Sequence, residues 1–177
     1  ALGVVFGDIY LAIRNMDSGA EVFKSHNGNE WKSITSSGFG DPNNHDVYGL
    51  VQFKDWIYCG TYNGFYQGRG KSLPHTGGQI LRSQNGSDWE YVVKNGFGNK
   101  NNQDMWSFSE FKDHLYVGTW NSKSGGEIWR SGNGKTFTLV FGSRSPDQDY
   151  IRSLATTSNK IFACTGRSSF AVYESRD

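Results

Sequence analysis

One phrase is spelled three times in this chain: "SHNGNEW" at 25 to 31, "SQNGSDW" at 83 to 89 and "SGNGKTF" at 131 to 137. A repeat in fixed order constrains the fold more than any single motif, because each copy must be a unit that stacks on its neighbours. Two other phrases recur around it. "VVFGDIYLA", "VQFKDWIYCGT", "SEFKDHLYVGT" and "TTSNKIFACTG" form one set, and "GAEVFKS", "GGQILRS", "GGEIWRS" and "FAVYES" form the other.

Each phrase alternates apolar and polar residues over a few positions, the period of a half-buried strand. Asn-Gly between two such runs signals a hairpin in which both turn residues take positive φ. The pattern predicts four strands per unit. First strands fall at about 1 to 6, 47 to 53, 105 to 111 and 150 to 157, and second strands at 8 to 14, 56 to 62, 114 to 120 and 160 to 165. Third strands fall at 20 to 25, 78 to 83, 126 to 131 and 170 to 175, and fourth strands at 30 to 35, 88 to 94 and 136 to 141. The serines opening the phrase are 58 residues apart between the first two units and 48 between the next two. The longer interval holds the insertion "FYQGRGKSLPHT" at 65 to 76. Four-stranded antiparallel units at this period predict an all-β chain, a β-propeller with one sheet per blade. The expected blades are about 1–36, 47–94, 105–141 and 150–177 of a single partial propeller. The fourth unit stops after its third strand, so the chain is expected to be part of a larger ring. Its remaining blades, or a second copy, would complete that ring.

Ser-x-Asn-Gly-x-x-Trp resembles the Asp-box, or BNR-type, repeat of sialidase-like propellers. Asn27, Asn85 and Asn133 stand where that family has Asp, and Ser175 and Asp177 begin a fourth box. The resemblance implies that the phrase lies in the turn between third and fourth strands, with Trp31, Trp89 and Phe137 packed between blades. It implies a fold rather than an activity, since such repeats occur in hydrolases and in non-catalytic propellers alike.

Strand parity puts the short turns on one face of the propeller. The long second-to-third and blade-to-blade loops fall on the other, where binding is expected. The blade-to-blade loops repeat as "SGFGDPNNHD", "NGFGNKNNQD" and "FGSRSPDQD", each leading into an innermost strand. Asp46, Asp104 and Asp149 are therefore expected near the channel mouth, with Asn43, Asn44, Asn101 and Asn102 beside them. Such a group suits a cation or sugar hydroxyls. The competing reading makes the Asp residues strand caps and the Asn residues turn formers. The insertion adds Phe65, Tyr66, Arg69, Lys71 and His75, flanked by Tyr62 and Asn63, to the same face. The ligand-binding candidates are thus Asn43, Asn44, Asp46, Tyr62, Asn63, Tyr66, Arg69, Asn101, Asn102, Asp104, Asp149 and Arg152.

The resulting expectation is a non-catalytic binding module for a glycan or a protein. The alternatives are a sialidase-like hydrolase fragment or a structural propeller subunit. Sialidase resemblance implies three arginines around a substrate carboxylate, a tyrosine nucleophile and a glutamate. Arg82 and Arg130 fall on third strands at the wrong face, leaving Arg152, beside Asp149 and Tyr150, as the one candidate. A net charge of +1 and the absence of any basic run argue against a nucleic-acid partner. No apolar run approaches a membrane span, and no cofactor motif or metal-ligand spacing occurs. Cys59 and Cys164 are expected as buried free thiols. Ala1 is not an initiator Met, so a cleaved leader is compatible with the sequence. The sequon Asn85-Gly86-Ser87 permits secretion without showing it, and two cysteines with many Asn, Gly and Thr favour an extracellular or cell-envelope setting.

Overall fold

The computed structural model describes residues 1–35, 37–64 and 75–176. Among these described residues fifteen strands form four meanders in chain order, every neighbouring pair antiparallel. The first comprises β1 (Leu2–Val5), β2 (Asp8–Ile13), β3 (Glu21–Ser25) and β4 (Lys32–Thr35). The second comprises β5 (Asp46–Phe53), β6 (Trp56–Tyr62), β7 (Ile80–Ser83) and β8 (Glu90–Val93). The third comprises β9 (Asp104–Phe111), β10 (His114–Trp120), β11 (Glu127–Ser131) and β12 (Thr138–Gly142). The fourth comprises β13 (Ile151–Thr156), β14 (Ile161–Thr165) and β15 (Ala171–Ser175). The chain is all-β, and its meanders are the blades of a partial propeller. The inner strands stand side by side, with β1 against β5, β5 against β9 and β9 against β13.

Three apolar layers lie between the blades. Val5, Tyr10, Ala12 and Val22 of the first blade meet Val47, Ile57, Cys59 and Leu81 of the second. Phe53, Tyr58 and Ile80 then meet Met105, Leu115 and Val117. Phe111, Tyr116 and Ile128 meet Ile151, Ile161 and Ala163. Alternation along each strand therefore sends one set of side chains to the preceding blade and the other to the following one. A small residue on the second strand lets the blades close together. A Cβ on Gly60 would stand 2.4 Å from the Met105 carbonyl oxygen, and one on Gly118 would stand 2.5 Å from the Ile151 side chain. Leu2, Val4 and Ile13 of the first blade and Phe170 and Val172 of the fourth remain exposed.

Both kinds of short turn join antiparallel strands, but they do so differently. The tight two-residue hairpins are the Phe6-Gly7 and Lys112-Asp113 links, where both residues have positive φ. The Asn-Gly phrase makes a wider turn in which only the glycine does, at φ 78, 77 and 69 for Gly28, Gly86 and Gly134. Its asparagine works through its side chain instead. Asn85 Oδ1 accepts from the amides of Ser87 (2.8 Å) and Asp88 (2.9 Å), while Ser83 Oγ accepts from the Gly86 amide at 2.9 Å. Asn27 with Ser25, and Asn133 with Ser131, bond in the same way. A side-chain oxygen closing a turn over its own backbone needs no left-handed asparagine. The fourth strands consequently start about two residues later than the alternation predicts. Trp89 and Phe137 pack against the layers between blades, whereas Trp31 is 39% exposed.

Cys59 is buried and Cys164 half-buried, both as free thiols. Among the described residues no helix is long and apolar enough to cross a membrane.

Candidate functional site

The long-loop face is built on a backbone relay repeated at each blade junction. The amides of Ala20, Gly78 and Gly126 donate to the carbonyls of Asn44, Asn102 and Gln148, at 2.7, 2.7 and 3.0 Å. The amides of Gly38, Gly96 and Ser143 donate in turn to the carbonyls of Ala20, Gly78 and Gly126, each at 3.0 Å. The second-to-third loop of one blade is thereby stitched to the connection entering the next, so both kinds of long loop share a face. Phe39 and Phe97 sit there at φ 64 and 59, a costly region for a bulky residue. Packing holds them: Phe39 meets Trp89 edge-on at 5.3 Å, and Phe97 stacks on Trp129 at 4.3 Å.

Three of the asparagines expected at this face, Asn44, Asn63 and Asn102, are fully buried. Asn44 donates to the Gly38 carbonyl (2.8 Å) and to Gln79 Oε1 (2.7 Å), and its Oδ1 accepts from Thr61 (2.9 Å) and Asn63 (3.0 Å). Asn102 repeats the cage one blade on. It donates to the Gly96 carbonyl (2.9 Å) and Glu127 Oε2 (2.7 Å), and its Oδ1 accepts from Thr119 (3.4 Å) and Asn121 (2.8 Å). All four hydrogen-bonding positions of each amide are occupied internally. Asn63 is buried in the same network, donating to Asp41 and Asn44 and accepting the Thr76 amide. Asn43 and Asn101 are half-buried turn formers whose amides donate to Asp41 and Asn99 side chains.

The three acids differ in position as well as in environment. Asp46 opens β5 and Asp104 opens β9, each facing the end of a second strand. Along β13 the equivalent place belongs to Tyr150, paired with Trp120, and Asp149 lies one residue earlier. Tyr150 stands between Asp149 and Ile151, whereas Asp104 directly precedes Met105, so the sequence alignment of the three acids holds for only two. Asp104 is 1% exposed and its Oδ1 has no partner. Burial, and then the nearby Asp46, push its carboxyl well above the usual carboxylate range, against the opposing pull of Arg14. Asp46 Oδ1 accepts the Val47 amide, and its Oδ2 lies 3.8 Å from Arg14. Asp149 Oδ2 accepts from Trp120 Nε1 (2.9 Å) and Arg167 (3.3 Å), while its Oδ1 is buried without a partner. The Nδ1 of buried His45 is unpartnered too, and burial lowers the pKa of that ring. Among the described residues no three His, Cys, Asp or Glu side chains come together as a metal-holding group.

Around these acids runs a continuous row of rings drawn from three blades. Tyr48 stacks on Trp106 at 4.2 Å, and Trp106 meets Tyr150 edge-on at 4.9 Å. Tyr150 stacks on Trp120 at 5.1 Å, and Trp120 reaches Tyr62 at 5.8 Å. Tyr62 is buried, and the other four are half-buried. Arg152 lies over Tyr150 at 4.0 Å and over Trp106 at 5.3 Å. Tyr48, Trp106 and Arg152 occupy equivalent places on β5, β9 and β13, one residue after Val47, Met105 and Ile151. Together with Leu50, Phe108 and Leu154 they line a groove of about 310 Å³ along the inner strands. Burial, helped by Asp46 and Asp104, raises the pKa of Tyr48, so its hydroxyl stays protonated.

The expected residues thus separate. Asp46, Tyr62, Asp104, Asp149 and Arg152 meet at the row of rings. Asn44, Asn63 and Asn102 form the cage beneath the loops, and Asn43 and Asn101 shape turns. Tyr66 and Arg69 lie outside the described residues. Sequence reasoning missed Tyr48, Trp106 and Trp120, although a signal was present. An aromatic residue follows within two positions of each aligned junction, in "DVYG", "DMWS" and "DYIR", and another ends β10.

No protein-family model matches the chain, and no curated protein sequence matches it. Solved structures share its fold at low identity. GH43B of the Bacteroides ovatus xyloglucan PUL aligns over 100% of this chain and 38% of its own, with 13% identity and a TM-score of 0.59. A GH43 endo-arabinanase from Bacillus licheniformis aligns over 99% of this chain and 70% of its own, with 14% identity and a TM-score of 0.59. A Bacillus subtilis arabinanase aligns over 93% and 63%, with 13% identity and a TM-score of 0.57. The chain therefore spans well under half of the first of these proteins and about two thirds of the other two.

Proposed function

We propose that the chain is the sugar-binding part of a β-propeller, gripping a glycan along the ring-lined groove at the long-loop end of its inner strands. The observation that carries this reading is the groove wall of Tyr48, Trp106 and Phe108, continued behind it by Tyr150, Trp120 and Tyr62 beside buried carboxylates. Rigid, half-buried rings offer large apolar contact at little entropic cost, and adjacent acids accept from hydroxyl groups. Fold likeness to proteins described as arabinanases is consistent with it. The Asn-centred turns, with their side-chain bonding, support kinship with Asp-box propellers. Further blades, or a second copy, would cover the exposed apolar faces of the first and fourth blades. The chain is proposed to work outside the cell or in its envelope.

Affinity electrophoresis through gels containing arabinan, xyloglucan or polygalacturonate tests the reading. Retardation by at least one polysaccharide is expected, and Trp106→Ala should weaken it about tenfold while leaving the circular dichroism spectrum intact. Unretarded migration in every gel and silence on a broad glycan array would end it.

One observation favours a second reading, glycoside hydrolysis. Asp104 is a fully enclosed carboxyl whose pKa is raised by burial and by the nearby Asp46, and two neighbouring carboxyls in such unlike surroundings can divide acid and base roles. Release of reducing ends from arabinan, abolished by Asp104→Asn, would favour the hydrolase over the binder.

A further inference from the structure

The groove contains a cation that the fold leaves without an acid. Arg152 is exposed, and its Nε donates to the Gly166 carbonyl at 3.3 Å. Among the described residues no carboxylate pairs with it. Its guanidinium is held over Tyr150 and Trp106, which restricts the side chain without neutralising it. The neighbouring acids would ordinarily repel an anion, but each is countered. Arg167 faces Asp149, Arg14 faces Asp46, and Asp104 is buried, which raises its pKa and disfavours its charged form. Arg152 therefore stands as a positive group on the wall of the groove, where Tyr48 and Trp106 occupy the equivalent places, while the Ala1 ammonium in the same lining is engaged by the Ala12 and Val47 carbonyls at 3.1 and 3.3 Å.

We infer that the groove selects an acidic polysaccharide, a chain of uronic-acid residues in which one sugar carboxylate meets Arg152 while neighbouring sugars lie along Trp106 and Tyr48. This rests on the glycan-binding reading and adds the ligand class. Tyr48, Trp106 and Arg152 line the groove side by side, one from each of three successive blades, which suits an extended chain rather than a single terminal sugar. A guanidinium fixed by stacking keeps its remaining N–H groups available for a planar carboxylate, a geometry that lysine cannot reproduce.

Calorimetric titration of the 177-residue chain with trigalacturonate and with its carboxyl-reduced, neutral counterpart separates the two ideas. The acid should bind at least tenfold tighter, and the ratio should shrink as salt is added. Arg152→Gln should bring the ratio close to one, and Arg152→Lys should restore little of it. Equal binding of the two sugars, or a preference unchanged by Arg152→Gln, overturns the uronate assignment and leaves the glycan reading standing. Binding of neither sugar, with retardation by a neutral polysaccharide in the gels above, does the same. Binding of neither, with no glycan recognised at all, removes both.

Discussion

The junction entering β9 and the junction entering β13 perform the same backbone task with different side chains. In both, a glycine amide reaches the incoming connection and a second amide reaches back, with bonds of 2.7 to 3.0 Å. The amides of Asn63 and Asn121 likewise donate to the carbonyls of Gln103 and Asp149. Entering β9, a caged asparagine fills the space under the loops. Entering β13, Gln148 takes that place and accepts a single bond from the Tyr173 hydroxyl at 2.9 Å. The place of Asp104 passes to Tyr150. What the repeat keeps is the relay that sets the distance between blades. What it releases are the side chains on the inner wall, and there the acids, rings and Arg152 collect.

The largest expected effect lies in the cage. Asn102→Ala would leave the Gly96 carbonyl, Glu127, Thr119 and Asn121 short of a partner at once. Urea unfolding should show a loss of about 3 kcal/mol, the scale of several buried polar groups left unsatisfied together. Gln148→Ala should cost no more than about 1 kcal/mol, one ordinary hydrogen bond. Equal losses at the two positions would mean that the junctions do not differ in the way their bonding indicates.

A smaller contrast concerns how closely the blades approach. Alanine at Gly60 would press on the Met105 carbonyl, a backbone atom that cannot step aside, and overpacking of this kind costs about 3 kcal/mol at its upper end. Alanine at Gly118 would meet the Ser107 hydroxyl and the Cγ2 and Cβ atoms of Ile151, side-chain atoms rather than a carbonyl, and should cost about 1–2 kcal/mol. Thermal melts of Gly60→Ala and Gly118→Ala should therefore rank in that order. The reverse ranking would place the tighter junction at β13.

The acids sharpen the comparison through pH. An unfolded Asp104 ionises near its ordinary 3.8, while the folded carboxyl holds its proton to higher pH. Over that window the native state binds more protons than the unfolded one, so its stability falls as pH rises until the folded-state value is passed. Asp104→Asn should remove this slope and gain on the parent protein as pH increases above about 4. His45 acts in the opposite sense, because its lowered pKa gives stability that declines as pH drops below the ordinary 6.5. It is present in both proteins and cancels from their difference. A difference in stability that does not change with pH would show that Asp104 is charged in the folded protein.

Strand positions were legible because alternation and repetition report the same fact twice, once along a strand and once from blade to blade. The side-chain network was much less legible. Asn43 and Asn44 are adjacent and chemically identical, yet one shapes a half-buried turn and the other is enclosed by atoms as distant in sequence as Gln79. Nothing in "NN" distinguishes them. Register was lost at "SPDQDY" because the eye aligns acids, whereas the fold aligns the residues that pack: Val47, Met105 and Ile151. The ring row escaped notice because its members come from both edges of the inner strand pair, and only the propeller brings Trp120 beside Tyr150.

The smallest expected effect lies in the ion pair peculiar to the β13 junction. Arg167 and Asp149 are 3.3 Å apart, but the arginine side chain is 60% exposed and the carboxylate is also bonded by Trp120. Solvent screens an arginine so placed, so Arg167→Ala should cost about 0.5 kcal/mol or less. Trp120→Phe keeps the ring stack on Tyr150 but removes the indole donor from a buried carboxylate, and should cost about 1–2 kcal/mol. If Arg167→Ala proves the more damaging of the two, the β13 junction is held by charge rather than by its aromatic row. It would then resemble the β9 junction, with its polar cage, more closely than its side chains indicate.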